Sequence, residues 1–399
     1  MTLDKTREER LQRLVELCAV DRTPESLDDI YVEPVESAAS RILRRSRALP
    51  MSVDHTLLMG GRGCGKSTEL RRLHQRLSQN GEVQPILLDL DHARVNAADV
   101  TAFDLCYLMG LHLLGLLDAK TRKVQESDPK KGETAYARLS RAYFGDSDSA
   151  TLPPMSQQLG ALGAIAEKVG ALGAAVVGTA GAAPAVGLAL GAASVAAGLI
   201  LRDRGRREVV HENSPAANAM LAAVAELHGL ASAQVKQPIV VLVDGLEKMN
   251  GESAERLRDV FERTLLLAKL PFSFVIGAPP CSMTKATSLA DLGYQTVEVW
   301  SFTGRPEAVE EMVAKRIRAA ELDPDEVLAP ALRATLSEWC GGHARTAMYL
   351  MREAVPEAIA NERGMVGEEE LEVARRIVGR RLNQALSGAD RLLLSGIHA

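Results

Sequence analysis

Short apolar runs alternate with helical periodicities along most of this chain. His55-Thr56-Leu57-Leu58-Met59 reads as a buried strand, and the stretch after it, 68–77, carries Leu70, Leu73 and Leu77 at helical spacing. Residues 83–91 give a second strand and 99–117 a strongly apolar helix. A helix at about 215–230 leads into a third apolar run, Pro238-Ile239-Val240-Val241-Leu242-Val243. A helix over about 252–269 then turns Leu257, Val260, Phe261, Leu265 and Leu266 inward. Strands follow at 272–278 and 296–300, and from Pro306 onward the pattern is helical. At the other end, 3–20 is an amphipathic helix with Leu11, Leu14, Val15 and Cys18 on one face. A loop over 21–36 contains Pro24 and Pro34, and a basic helix at 37–47 stops before Pro50. Strands alternating with helices predict an α/β fold, a doubly wound parallel sheet, with the C-terminal helices as a lid domain. The expected domains are an N-terminal helical segment 1–50, a core 51–303 and a helical lid 304–399.

Two stretches depart from this rhythm. Residues 118–150 are polar and charged with only a weak pattern. Residues 159–201 are dominated by Ala, Gly, Val and Leu, with no charge between Lys168 and Arg202. Together they form an insertion, 118–212, ahead of the third apolar run. Its Ala/Gly-rich part has three readings. Two crossings of a bilayer would leave about 21 residues each, near the ~20 a spanning helix needs, and Gly187 with Gly191 and Ser194 with Gly198 suit close helix packing in lipid. A soluble Ala/Gly helical pair and a flexible linker are the other two. The basic run Arg202 to Arg207 fits either a cytosolic membrane flank or a solvated loop.

Composition narrows the class. The chain has 399 residues, 25% charged, with a net charge of -5, which is not the overall balance of a nucleic-acid-coating protein. Its five cysteines show no C-x-x-C spacing, which argues against zinc and a disulfide framework and fits a reducing cytoplasm. The first ten residues lack the apolar core of a signal peptide. The expected location is cytoplasmic, with membrane association left open by 159–201.

The candidate chemistry sits where the first strand meets its helix. Gly60-Gly61-Arg62-Gly63-Cys64-Gly65-Lys66-Ser67 is G-x-x-x-x-G-K-S, a phosphate-binding P-loop in its required strand–loop–helix context. The glycines let backbone N–H groups curl around phosphates, and the helix N-terminus adds a positive potential. Residues Gly60 to Thr68 would hold ATP, Lys66 would reach its β- and γ-phosphates, and the Ser67 hydroxyl would hold Mg²⁺. The third apolar run ends in Asp244, a carboxylate at a strand tip, where α/β sheets hold ligands. Asp244 would bind Mg²⁺ through water, or else cap the next helix. Gly245 leaves Glu247 as the best acid to position the attacking water, unless it is a first-turn helix acid.

These motifs resemble the STAND/AAA+ class of P-loop ATPases. Val243-Asp244-Gly245-Leu246-Glu247 resembles the Walker B motif of NACHT-type ATPases, with Lys248 where that pattern places a second acid. Gly341 to Arg352 resembles the lid-helix motif of AAA+ and KAP-type ATPases, in which an arginine at the position of Arg345 senses the γ-phosphate. A surface arginine at a helix start is the other reading of Arg345. Ala278-Pro279-Pro280 stands where a polar sensor would end its strand. KAP-type ATPases carry membrane helices between the two Walker motifs, the place of the apolar insertion here. The resemblance implies an ATP- and Mg²⁺-dependent switch with catalytic Lys66, Glu247 and Arg345, assembling as a homo-oligomer. Both families include anti-phage or immune-type switches, and a separate effector or sensor protein is then expected, since no leucine-rich or TPR array is visible.

Two alternatives remain beside that switch. The first is a membrane effector whose ATPase gates 159–201. The second is a DNA-associated loader or initiator-type ATPase using basic clusters at 41–47 and at Arg375, Arg376, Arg380 and Arg381. Without aromatic stacking residues nearby, those clusters also read as solvated helix faces. Arg256, Arg258 and Arg263 are candidates for a finger reaching into a neighbouring subunit, or for ion pairs along their own helix.

Overall fold

The computed structural model describes residues 4–19, 30–32, 37–48, 53–60, 63–90, 100–126, 134–144, 214–246, 260–261, 266–278, 293–299 and 305–385. In chain order the elements are α1 (Lys5–Leu17), α2 (Ala38–Ala48), β1 (His55–Met59), α3 (Lys66–Asn80), β2 (Gln84–Asp89), α4 (Ala102–Gly115), α5 (Ala119–Glu126), α6 (Ala135–Phe144) and α7 (Pro215–Val235). They continue with β3 (Ile239–Asp244), β4 (Ser273–Ala278), β5 (Tyr294–Glu298), α8 (Pro306–Ala319), the single turn α9 (Pro324–Val327), α10 (Pro330–Cys340), α11 (Ala344–Ala360) and α12 (Glu368–Ala385). The chain divides into two compact units. One takes in 1–37, 63–65 and 300–399, and the other takes in 38–62 and 66–299.

The second unit is built on a five-stranded parallel sheet of order β2-β3-β4-β1-β5. Every residue of β1 is buried, as expected of a central parallel strand covered on both faces. The covering follows from handedness. The connection from β1 to β2 moves one way along the sheet and that from β2 to β3 moves the other. Right-handed crossovers therefore put α3 on one face and the helices α4 to α7 on the opposite face. Leu57, Ile86, Val241, Val243, Phe274 and Ile276 join α4 and α7 residues in one core. Leu58, Leu242 and Val275 alternate with them along the strands and turn to the α3 face, where Leu70 and Leu73 are buried. This is an α/β architecture, a parallel sheet with helices on both faces, accompanied by a separate helical unit.

The stretch 118–150, weakly patterned in sequence, contributes two helices. In α6 the buried apolar residues are Ala135, Leu139 and Tyr143, spaced four apart. Leu139 reaches the backbone of α4 because position 110 is glycine: a Cβ on Gly110 would lie 2.6 Å from the Leu139 Cδ2. The Tyr143 ring stacks on Tyr107 at 4.1 Å, and its hydroxyl donates to Asp104 Oδ1 at 2.5 Å. Asp104 also accepts from the Thr101 backbone N–H and hydroxyl, closing a capping box on α4. Residues 145–213, with the apolar part 159–201, lie outside the described residues. No helix among the described residues is long and apolar enough to cross a membrane.

The other unit is helical. Leu11, Leu14 and Cys18 of the α1 region share a core with Val309, Met351 and Val355, roughly three hundred residues away. Arg7 pairs with Glu326 at 3.0 Å and Arg13 with Glu321 at 3.1 Å. Arg316 of α8 donates to the carbonyls of Leu17 at 3.3 Å and Ile30 at 3.5 Å, gripping the C-terminal end of α1. By contrast, α2 groups with the sheet, where Glu69 accepts from the Ala39 N–H at 2.9 Å and Arg76 donates to Ser40 Oγ at 2.6 Å.

Candidate nucleotide site

β1 delivers the chain to Gly60 at the C-terminal edge of the sheet, and α3 starts at Lys66. Between them Gly63 and Gly65 have φ of 85° and 101°, a region costly for any residue with a Cβ. The first-turn N–H groups of α3 have no partner within the helix, which makes this end an anion-binding position. Lys66 is buried, and its Nζ donates to the Gly60 carbonyl at 2.7 Å, so the ammonium spans the loop. Cys64 and Thr68 are half-buried. Gly61 and Arg62 lie outside the described residues.

Asp244 occupies the tip of β3 and is also buried. Its Oδ1 accepts from the Ser67 hydroxyl at 3.0 Å and from the Gly245 N–H at 3.0 Å. The expected metal residues are thus brought together from elements far apart in sequence. A hydroxyl and a carboxylate side by side at a phosphate loop are the all-oxygen donors Mg²⁺ takes, with water and phosphate completing its shell. The residues present therefore fit a Mg²⁺–nucleotide pair.

Sequence reasoning missed a neighbouring pair. Asp89, the last residue of β2, stands opposite Asp244 in the parallel register. Its Oδ2 accepts from Arg71 Nη2 of α3 at 3.1 Å. The available signal was that β2, like β3, ends in an acid. Without the strand order nothing said that the two tips were neighbours. Glu69, also on α3, is buried for a structural reason, its contact with α2.

Glu247 lies outside the described residues, as do Arg256, Arg258 and Arg263. Arg345 is half-buried in the first turn of α11. A Cβ on Gly63, which groups with the same unit, would stand 2.9 Å from the Arg345 Cβ. On α12, Arg375 pairs with Glu372 and lies 4.7 Å from the Trp339 ring centre, while Arg381 pairs with Glu353. Among the described residues Arg376 and Arg380 donate to carbonyls of their own helix. Among the described residues Cys18, Cys64, Cys106 and Cys340 form no disulfide. Among the described residues no group of three or more His, Cys, Asp or Glu side chains forms a metal cluster.

No family model matches this sequence, and no curated protein matches it significantly. Among solved structures, the chain is similar to the ORC1 protein of Aeropyrum pernix in complex with DNA. The identity is 17% and the TM-score 0.42, with 96% of this chain and 75% of that one covered. It is also similar to Drosophila ORC bound to DNA, at 12% identity and a TM-score of 0.42, over 94% of this chain and 67% of that one. Likeness at this level assigns no activity to the chain.

Proposed function

We propose that this protein is a switch that binds ATP with Mg²⁺ and hydrolyses it. The observation that supports this most is the Ser67–Asp244 contact at 3.0 Å beside a buried Lys66 at the start of α3. In this reading Gly60 to Thr68 wrap the phosphates with backbone N–H groups, and Lys66 holds charge developing on the β- and γ-phosphates. Ser67 and Asp244 hold Mg²⁺, which when bound neutralises phosphate charge. Glu247 positions the attacking water, and Arg345 senses the γ-phosphate for a conformational change. Such switches act through assembly, so a homo-oligomer and a separate effector belong to the same reading.

The test is calorimetric ATP binding, with and without Mg²⁺, to the full chain and to Lys66→Ala. The wild type is expected to bind and the variant to lose about a hundredfold or more in affinity. Retained affinity in Lys66→Ala removes the core of the proposal. Glu247→Gln is expected to bind ATP and hydrolyse it slowly, and an unchanged rate reassigns the acid.

A second reading, a DNA-associated ATPase, is favoured by α12. Arg376 and Arg380 are exposed there and make no ion pair among the described residues. Exposed cations of this kind bind phosphates with a strong salt dependence. Neutralising both arginines should then weaken DNA binding and flatten its dependence on salt. DNA binding unaffected by the double substitution, or absent at low salt, rejects it.

A further inference from the structure

Ser67 and Arg71 are four residues apart on α3 and so share one face of it. That face meets two adjacent strand tips. Ser67 donates to Asp244 at the end of β3, and Arg71 donates to Asp89 at the end of β2. Asp89 and Asp244 are register partners, so their backbones lie about 4.8 Å apart and their side chains leave the sheet on the same side. Two carboxylates and one guanidinium therefore crowd one corner of the nucleotide site. Among the described residues the guanidinium is only partly satisfied, because the buried Nε has no hydrogen-bond partner there.

We infer that the Arg71–Asp89 ion pair sets the Mg²⁺ affinity of the nucleotide site. Asp89 engages Arg71 and keeps that cation off Asp244, while Arg71 neutralises an extra negative charge one strand from the metal position. Asp89 and Arg71 are positioning residues in this scheme, and neither touches nucleotide. The inference rests on the proposed ATP–Mg²⁺ reading of the same site and adds what tunes it.

The two partners then have effects of opposite sign. Removing the Asp89 charge frees Arg71 to pair with Asp244 in competition with Mg²⁺. Removing the Arg71 charge makes the potential one strand from the metal position more negative, which draws Mg²⁺ in. At this separation a single charge is expected to change Mg²⁺ affinity about tenfold. An ion pair serving only to hold α3 against β2 would instead give losses of the same sign from either side. It would also weaken nucleotide binding without metal.

The experiment uses the full-length protein and a fluorescent ATP analogue, titrated in chelator and then across Mg²⁺ concentrations. Asp89→Asn is expected to keep its metal-free affinity for the analogue and to need about tenfold more Mg²⁺ for half-saturation. Arg71→Met is expected to need less Mg²⁺ than wild type. The exchanged pair, Arg71→Asp with Asp89→Arg, keeps an ion pair but sets a cation next to Asp244. Here a high Mg²⁺ requirement supports the inference, and a wild-type one overturns it. Unchanged half-saturation in Asp89→Asn, or shifts of the same sign in Asp89→Asn and Arg71→Met, also overturns it. A wild-type protein that binds no analogue at any Mg²⁺ concentration overturns the ATP reading as well. Analogue binding that is lost in Lys66→Ala, with Mg²⁺ half-saturation unmoved in Asp89→Asn, overturns this inference alone.

Discussion

His112 lies on α4 with none of its surface exposed, and burial pushes its imidazole from the ordinary 6.5 down to about 4. The folded protein therefore holds it neutral where an unfolded chain would protonate it. Its folded-state pKa is the lower one, so the associated stability is complete above about pH 6.5 and is lost as pH falls toward about 4. Each pH unit of separation is worth 1.36 kcal/mol, which makes the full effect about 3 kcal/mol. That is a large part of the ~5–15 kcal/mol by which domains are stable. His55, His74 and His228 are shifted in the same direction by burial, so the total slope belongs to several groups and a single-site comparison is required. Urea unfolding of wild type and His112→Leu at pH 7.5, 6.5, 5.5 and 4.5 isolates it. The difference in unfolding free energy between the two proteins should move against the wild type by about 1.4 kcal/mol per unit below pH 6.5. A difference constant to within about 0.5 kcal/mol across that range would refute the assignment of a buried neutral imidazole.

Tyr143→Phe removes a hydroxyl that donates to the buried Asp104 carboxylate while keeping the ring stacked on Tyr107. A hydrogen bond to a charged group of this kind is worth about 2 kcal/mol, so a calorimetric Tm should fall by about 4–8 °C. Burial raises the thiol of Cys18 to about 11 and that of Cys106 further still. Neither should react with a disulfide reagent at pH 8 until the protein unfolds, and peptide mapping after native labelling checks this.

The sheet strands were legible because each is a local signal: β1, β3 and β4 are short apolar runs. The proposed phosphate loop, Gly60 to Ser67, is likewise read from eight consecutive residues. The α6 helix was obscured by its length. Among the described residues its buried apolar stripe is Ala135, Leu139 and Tyr143, within ten residues that also include Arg138 and Arg141. Nothing local tells Leu11 and Leu14 that their partners begin near residue 309, so the membership of α1 in the helical unit is decided by tertiary packing alone. Asp89 was invisible as a site residue for a related reason. A strand tip acquires a neighbour only from the strand order, and β2 and β3 are separated by some 150 residues of chain.

That strand order also accounts for how the site can be formed at all. β1 and β3, which carry the phosphate loop and Asp244, are not adjacent, because β4 runs between them. Two strand spacings separate their tips by roughly 9.6 Å. The intervening strand ends in Ala278, whose methyl side chain is buried in the core. Residues at the tips of β1 and β3 could not bridge that distance by themselves. α3 does so, since the crossover from β1 to β2 must carry it past β4 and β3. Its first turn supplies the exposed N–H groups and Lys66 beside β1, and its Ser67 side chain reaches β3. One right-handed connection thus brings the start of α3, Lys66 and the Ser67 hydroxyl to the strand tips where the proposed nucleotide site would form.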